Sequence, residues 1–159
     1  LIVGIGRGSA YNEYEYIGFG VSIKEAFERL SEAEDLVVKA WTSKDLRHDG
    51  RFWKVAFPEL RPRPHQKPHP PLVRACISEG STIEMARIGR PILMGVQTKD
   101  TIRHRLETYY ETMLDVGFGE PAARKVLDQC WVSKNLLVAN SRGEAEEIAA
   151  LGCTHGEMK

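Results

Sequence analysis

Two short segments of this 159-residue chain carry residue types that bind anions. The first, Gly4-Ile5-Gly6-Arg7-Gly8, ends an apolar run that has the pattern of a buried β-strand entering a glycine-rich turn. Glycine lets the backbone approach a ligand closely, and the Arg7 guanidinium matches phosphate oxygens in a two-pronged geometry. The second, Ser78-Glu79-Gly80-Ser81-Thr82, stands between an apolar strand and a helix start, where free amides and the helix dipole favour a phosphate.

Each segment also has a purely structural interpretation. Three glycines can form a tight strand exit, and Ser78 to Thr82 can be an ordinary helix cap that contributes about 1 kcal/mol of stability. A dinucleotide-binding loop is excluded, because that fingerprint needs a glycine where this chain has Ser9. A glutamate would repel a phosphate, so we expect Glu79 to offer its backbone N–H and to point its side chain away.

No pattern in the sequence indicates catalysis by the chain's own side chains. The five histidines are dispersed, and no serine or cysteine stands in a nucleophile-elbow motif, so catalytic residues stay unassigned. Cys76, Cys130 and Cys153 lack metal-ligand spacing, which predicts buried thiols in a reducing compartment and no metal site. A phosphate-anchored cofactor that brings its own reactivity would account for this pattern.

Bulk composition bounds the class of protein. Hydrophobic residues make up 42% and charged residues 28% of the chain, and the formal net charge is zero, so no global field attracts nucleic acid or an anionic membrane. No apolar run approaches the roughly 20 residues of a membrane span. We therefore predict a cytoplasmic protein that acts on small molecules, with neither nucleic acid nor a membrane as partner.

Strands and helices alternate around the two candidate segments. Apolar strands are predicted at the opening run, at 72–77, at 92–96 and at 131–139. Helices are predicted after capping boxes that begin at Ser22, Ser81 and Ser141, and over 98–116. Four strand–helix units with strands buried on both faces predict a parallel sheet, either half of an eight-fold barrel or most of a doubly wound sheet. In both, the two segments meet at the carboxyl edge of the sheet.

An insertion interrupts this alternation after the first helix. Asp49-Gly50 predicts a small hairpin with flanks 44–47 and 51–57. Six prolines then fall between Pro58 and Pro71, and their missing amide donors predict an extended surface crossing. The arginines and histidines of this crossing are expected to be solvated.

The ordered set of segments resembles the bacterial luciferase-like flavin monooxygenase family. The matching pieces, in chain order, are GIGRGS, EYEYIGFGVS, EAFERLSEAEDLVVKAW, HDGRFW, PELRPRPHQKPHPPLVRA and SEGSTIEMARIGRPILMG. The resemblance assigns residues 1–151 to one domain of this family and leaves the tail 152–159 unassigned.

The resemblance implies a partial (β/α)8 TIM barrel, roughly its fourth to seventh strand–helix units, truncated at both ends. It implies reduced FMN as cofactor, or a deazaflavin in one large branch, with an organic substrate and oxygen as reactants. A separate flavin reductase and a second copy of the chain are expected partners. Arg7 falls on the family's phosphate-contacting arginine, and Ser78, Gly80, Ser81 and Thr82 fall on its phosphate turn. Glu79 stands where many members have proline or serine.

Three functions follow from the resemblance. The leading one is a luciferase-like flavin-dependent monooxygenase, and the alternatives are a deazaflavin-dependent oxidoreductase and a non-catalytic flavin-binding protein. The family's first three strands, with the usual catalytic histidine or cysteine, are expected upstream of Leu1. We therefore expect this chain alone to be inactive and to hold flavin weakly.

Overall fold

A computed structural model describes residues 1–8 and 13–156. The strands are β1 (Val3–Ile5), β2 (Leu46–Asp49), β3 (Lys54–Phe57), β4 (Leu72–Cys76), β5 (Ile92–Met94) and β6 (Trp131–Val132). The helices are α1 (Glu13–Gly18), α2 (Ala26–Thr42), α3 (Glu79–Arg87), α4 (Lys99–Asp115), α5 (Glu120–Leu127) and α6 (Arg142–Gly156). Ser9 and the last three residues of the 152–159 tail lie outside the described residues.

The main sheet is parallel throughout, with strand order β1-β4-β5-β6. Because β2 and β3 form a separate antiparallel hairpin, the order of the main sheet follows the chain without reversal. A doubly wound sheet reverses its order at a switch point, whereas a barrel adds each strand beside the last. The α/β fold with a parallel sheet is therefore confirmed, and its order is that of part of a TIM barrel.

The helices α3, α4 and α5 pack on one face of the sheet. Cys76, Ile92 and Met94 are buried in a core formed with α3, α4 and α5. On the opposite face, Ala75, Leu93 and Trp131 are exposed. The prediction of strands buried on both faces was wrong for this chain: β1 is half-buried, and β6 is exposed. Helices on a single face agree with the barrel arrangement.

Side-chain caps begin several helical segments, although not always at the predicted residue. Ser22 caps the 3-10 turn Ile23–Glu25 that leads into α2, and Thr98 caps α4 by accepting from the Thr101 amide. Ser141 accepts from the Glu144 amide at 3.2 Å, as the capping-box pattern predicted. The cap predicted at Ser81 was wrong, since Ser78 has extended backbone (φ −97°, ψ 156°) and its side chain accepts from the Ser81 amide. Helix α3 therefore begins three residues earlier than the capping-box pattern predicted.

The strands end earlier than their apolar runs. The strand predicted over 131–139 contains only Trp131–Val132, because its neighbour β5 ends at Met94. The Ser133 amide donates to the Met94 carbonyl at 2.8 Å, and no ladder continues beyond it in the described part of the chain. Leu136 and Val138 are exposed. Helices α1 and α5 lie in segments for which no helix was predicted.

The inserted hairpin is confirmed and is anchored to α2 by one carboxylate. Glu32 accepts hydrogen bonds from the amides of Phe52 and Trp53, and its Oε1 lies 3.0 Å from His48 Nε2. A Cβ on Gly50 would lie 1.9 Å from the same carboxylate oxygen, so glycine is required at this tight approach. The hairpin loop thus encloses the Glu32 carboxylate.

The proline-rich crossing has no regular secondary structure, as predicted, but its basic side chains are not all solvated. Arg63 donates to the Ser43 carbonyl at 2.7 Å and pairs with Glu59. His69 stacks on Trp41 of α2 with ring centroids 5.8 Å apart. These side chains attach the crossing to α2, a contact that composition could not reveal.

Candidate functional site

A cleft of about 580 Å³ lies at the carboxyl ends of β1 and β4. We call it the β1–β4 cleft, and its walls come from the two strand exits and the first turns of α2 and α3. Its lining residues are Gly6, Arg7, Gly8, Phe27, Leu30, Arg74, Ala75, Ile77, Ser78 and Ser81. The structure thus brings Arg7 together with Ser78 and Ser81, which lie 71 and 74 positions further along the chain. Parallel pairing of β1 with β4 is the cause, since it aligns their carboxyl ends.

The β1 side of the cleft presents the Arg7 guanidinium. Arg7 is exposed, and its carbonyl accepts a hydrogen bond from the Tyr16 hydroxyl. Gly8 has φ +80°, a left-handed conformation that favours glycine, and a Cβ there would meet the Tyr16 hydroxyl at 3.4 Å. A Cβ on Gly6 would lie 3.2 Å from the Ala75 Cβ. The glycines therefore allow close contact of the Arg7 turn with its neighbours.

The turn that begins α3, next to the cleft, has unpaired backbone amides. The N–H groups of Glu79 and Gly80 have no acceptor in the described part of the chain, because the cap of Ser78 serves the Ser81 amide. Open space surrounds the Cα of Gly80, with no atom within 4 Å of a Cβ built there. Unpaired amides at the positive end of a helix are the groups that bind phosphate and carboxylate.

The hydroxyl groups of this turn already have partners. Ser81 Oγ donates to the Ser78 carbonyl at 2.7 Å, and Ser78 Oγ lies 3.0 Å from Ser81 Oγ. An anion at the turn would therefore meet the Glu79 and Gly80 amides first. The Ser78 hydroxyl could turn to the anion by giving up only its contact with Ser81 Oγ, while its oxygen continues to cap α3.

Three predicted residues of the turn, Glu79, Gly80 and Thr82, do not line the cleft. Thr82 is fully buried, and its hydroxyl donates to the Ser78 carbonyl at 3.1 Å beneath the turn. The Glu79 side chain is exposed and lies outside the lining, which leaves its amide as the group that faces an anion. Gly80 has no side chain, so it can offer an anion only its backbone amide.

The floor of the cleft is a buried ion-pair network. Arg74 on β4 is 2% exposed and donates to both carboxylate oxygens of Glu34, at 2.8 and 2.5 Å. It also pairs with Glu84 of α3 at 2.9 Å, and Arg90 pairs with Glu34. Burial disfavours a charged Arg74, but the hydrogen bonds and charge of Glu34, followed by the charge of Glu84, outweigh it and raise the pKa of Arg74. Arg74 therefore stays charged under the cleft.

Sequence reasoning assigned no role to several residues of this site. The sequence predicts that Phe27 and Leu30 belong to the helix after Ser22 and that Arg74 belongs to the apolar strand 72–77. A signal was present, because one arginine inside the run Leu72–Cys76 requires buried counter-charges. The positions of those counter-charges, Glu34 and Glu84, depend on tertiary structure.

The cysteines match their predicted role where the structure describes them. Cys76 is 1% exposed within the core, and burial raises the pKa of its thiol. Burial also raises the pKa of the Cys130 thiol. The side chain of Cys153 lies outside the described residues. No group of metal-ligating side chains occurs within residues 1–8 and 13–156, and no helix in that part is long and apolar enough to cross a membrane.

Comparison with known proteins identifies the family of this chain. The family model for luciferase-like monooxygenases matches residues 1–152. The chain belongs to this family.

The sequence relatives cover part of the chain. An uncharacterized protein, y4vJ, from Sinorhizobium fredii is 30% identical over 109 residues, which is 65% of this chain and 31% of that protein. An F420-dependent glucose-6-phosphate dehydrogenase from Kribbella flavida is 35% identical over 65 residues, which is 40% of this chain and 20% of that protein. The chain thus spans less than a third of the length of these curated relatives.

Two solved structures share the fold. The monooxygenase RslO1 from Streptomyces bottropensis superposes with a TM-score of 0.76 at 23% identity, covering 95% of this chain and 45% of that one. The oxygenating constituent of 3,6-diketocamphane monooxygenase from Pseudomonas putida, solved in complex with FMN, gives a TM-score of 0.68 at 18% identity. It covers 94% of this chain and 43% of that one. At these identities the likeness shows the luciferase-like fold.

Proposed function

We propose that this chain carries the cofactor-phosphate anchor of a flavin-dependent monooxygenase that uses reduced FMN, oxygen and an organic substrate. The observation that carries the proposal is the β1–β4 cleft, which Arg7 lines from β1 and Ser78 and Ser81 line from the α3 turn, next to the unpaired amides of Glu79 and Gly80. A guanidinium and a helix N-terminus together match the charge and geometry of a phosphate. Bound FMN would supply the redox chemistry, and the role of this chain is to bind and orient its phosphate end.

Each wall of the cleft would make a different contribution. Arg7 would supply charge and two parallel N–H donors, and the α3 turn would supply amides that need no reorganisation. Arg74 lies below the cleft, where it donates hydrogen bonds to Glu34 and its charge is balanced by Glu34 and Glu84. Phe27 and Leu30 would exclude water from one side of the phosphate, which strengthens these interactions.

We also propose a place for these units in a complete barrel. The parallel sheet in chain order and the exposed Ala75, Leu93 and Trp131 favour the fourth to seventh units of an eight-fold barrel. The remaining units would cover that face, and residues 1–151 would be the segment of the family domain present here. A flavin reductase and a second copy of the chain are the proposed protein partners.

The test is a titration of the 159-residue chain, followed by 15N NMR, with FMN, riboflavin and inorganic phosphate. FMN and phosphate should shift the amides of Glu79 and Gly80, whereas riboflavin, which lacks the phosphate, should not. Arg7→Ala should weaken FMN binding by about 1–3 kcal/mol, the range for hydrogen bonds to charged groups. The matched control is Arg47→Ala, an exposed arginine on β2. Equal shifts with riboflavin, or unchanged affinity in Arg7→Ala, would refute the anchor.

The deazaflavin-dependent oxidoreductase is the second candidate, and the relative from Kribbella flavida favours it. Both cofactors present a phosphate, so the anchor alone does not separate them. In the same 15N spectra, FMN and F420 can be made to compete for the Glu79 and Gly80 amides. The competition ranks the affinities of the two cofactors. Oxygen-dependent product formation that requires a flavin reductase would support the monooxygenase and exclude a non-catalytic flavin-binding protein.

A further inference from the structure

The turn that presents the α3 amides is held by side chains from another strand–helix unit. The carbonyl of Ile77, the residue that joins β4 to Ser78, accepts a hydrogen bond from Arg105 Nη1 of α4. It also accepts one from Gln97 Nε2 at 3.2 Å. Strand β4 ends at Cys76, so no ladder partner holds this peptide. Two side chains therefore determine the orientation of the peptide that leads into the turn.

The Gln97 side chain can make this contact in only one orientation of its amide group. Its Oε1 is buried without a donor among the described residues, while Nε2 reaches Ile77. The opposite amide orientation would place two carbonyl oxygens against each other, so only one orientation fits. The backbone of Gln97 is held in turn, because Lys134 Nζ donates to the Gln97 carbonyl at 3.1 Å. Contacts thus run along the carboxyl edge from the exit of β6 to the exit of β4.

We propose that Arg105 is a positioning residue for the phosphate turn, a role that rests on the function proposed above. By holding the Ile77 carbonyl, Arg105 orients the following peptides so that the Glu79 and Gly80 amides can bind one anion at the turn next to the β1–β4 cleft. The Ile77 side chain is 66% exposed and provides little packing of its own. Without Arg105 the turn keeps the Ser78 cap but loses the stronger, charged anchor of its first peptide.

The test uses Arg105→Met, which keeps the length of the side chain and removes its donors and charge. Inorganic phosphate is titrated into the full chain, with the Glu79 and Gly80 amides as reporters in 15N spectra. We expect about tenfold weaker binding, as for loss of one hydrogen bond from a charged group. Arg105→Lys, which retains a donor and the charge, should recover most of the affinity. Arg103→Met is the matched control, since Arg103 is exposed on the same helix and pairs with Asp100.

Two further measurements separate positioning from charge and from stability. Amide exchange at Glu79 and Gly80 without phosphate should become faster in Arg105→Met and stay unchanged in Arg103→Met. The loss of affinity should persist at about 0.5 M salt, where the field of a surface charge is largely screened. A loss that disappears in salt, or affinity equal to that of the unaltered chain, would overturn the role of Arg105 and leave the anchor intact. Absence of phosphate-induced shifts in the unaltered chain would overturn the anchor, and this role with it.

Discussion

At the scale of single residues, Ser78 has the most partners in the candidate site. Its Oγ caps α3, its carbonyl accepts from Ser81 Oγ and Thr82 Oγ1, and its hydroxyl lines the cleft. Ser81 is a partner of this cap, since its own amide is the group that Ser78 serves. The first turn of α3 therefore depends more on Ser78 than on Ser81.

This difference predicts unequal effects of two alanine substitutions. Ser78→Ala should lower the free energy of unfolding by about 1 kcal/mol, because the Ser81 amide loses its acceptor. Ser81→Ala keeps that bond and should cost less. Urea denaturation followed by circular dichroism measures both, and a larger loss in Ser81→Ala would place the cap at Ser81.

Gly89 follows α3 in a conformation that other residues avoid. Its φ is +62°, and a Cβ there would lie 2.9 Å from Phe118 Cζ. Gly89→Ala should therefore lower the free energy of unfolding by about 1–2 kcal/mol, the cost of the left-handed conformation, plus the displacement of Phe118. Gly143→Ala in α6 is the matched control, because open space surrounds Gly143. The same loss in both variants of a thermal unfolding experiment would contradict this reason.

At the scale of elements, the hairpin is joined to α2 through Glu32. Partial desolvation raises the pKa of Glu32, but hydrogen bonds from His48 and from the amides of Trp53 and Phe52 outweigh it, and the pKa lies below its ordinary value of 4.5. A carboxyl group with a lowered pKa in the folded state stabilises the fold above its ordinary pKa. That contribution is lost as the pH falls through the lowered value.

Glu32→Gln should therefore remove part of the acid sensitivity of the protein. The unaltered chain should exceed the variant in stability at pH 6, and the difference should shrink as the pH falls below 4.5, the ordinary value of the group. Urea unfolding at several pH values measures the difference, and Glu28→Gln, an exposed glutamate on the same helix, is the control. A difference that grows towards low pH would contradict the lowered pKa.

At the scale of the whole molecule, one buried network connects the strand–helix units. Glu34 on α2 binds Arg74 on β4 and Arg90 before β5, and Arg74 also pairs with Glu84 on α3. Removing one member of a buried ion pair leaves an uncompensated charge in the interior, which costs about 3–5 kcal/mol. The network lies under the β1–β4 cleft, so it supports the site as well as the fold.

Glu34→Gln should be the most destabilising of these substitutions, with a loss of about 3–5 kcal/mol in the free energy of unfolding. The variant leaves Arg74 with Glu84 alone and leaves Arg90 without its carboxylate. Arg90→Met should cost much less, because the Arg90 side chain is 19% exposed and can be hydrated in part. Equilibrium urea unfolding tests this order, and equal losses in the two variants would contradict it.

Local sequence patterns determined much of this protein. Apolar periodicity and caps predicted the four strand–helix units, the hairpin and the long helix α4, although the fourth strand and the two hairpin strands have other bounds than predicted. These features depend on neighbours a few residues away, so the sequence encodes them directly. The glycine-rich turn with Arg7 and the turn at 78–82 were identified for the same reason.

Tertiary structure decided what depends on distant partners. The strand order of the sheet separated the barrel from the doubly wound alternative, and the short partner strand β5 limited β6 to Trp131–Val132. Two contacts that hold the site in place join distant residues: Arg74 lies 40 positions from Glu34, and Arg105 lies 28 positions from Ile77. Hydrogen bonds and ion pairs between units form only once parallel pairing has aligned the strand ends, and no local pattern records them.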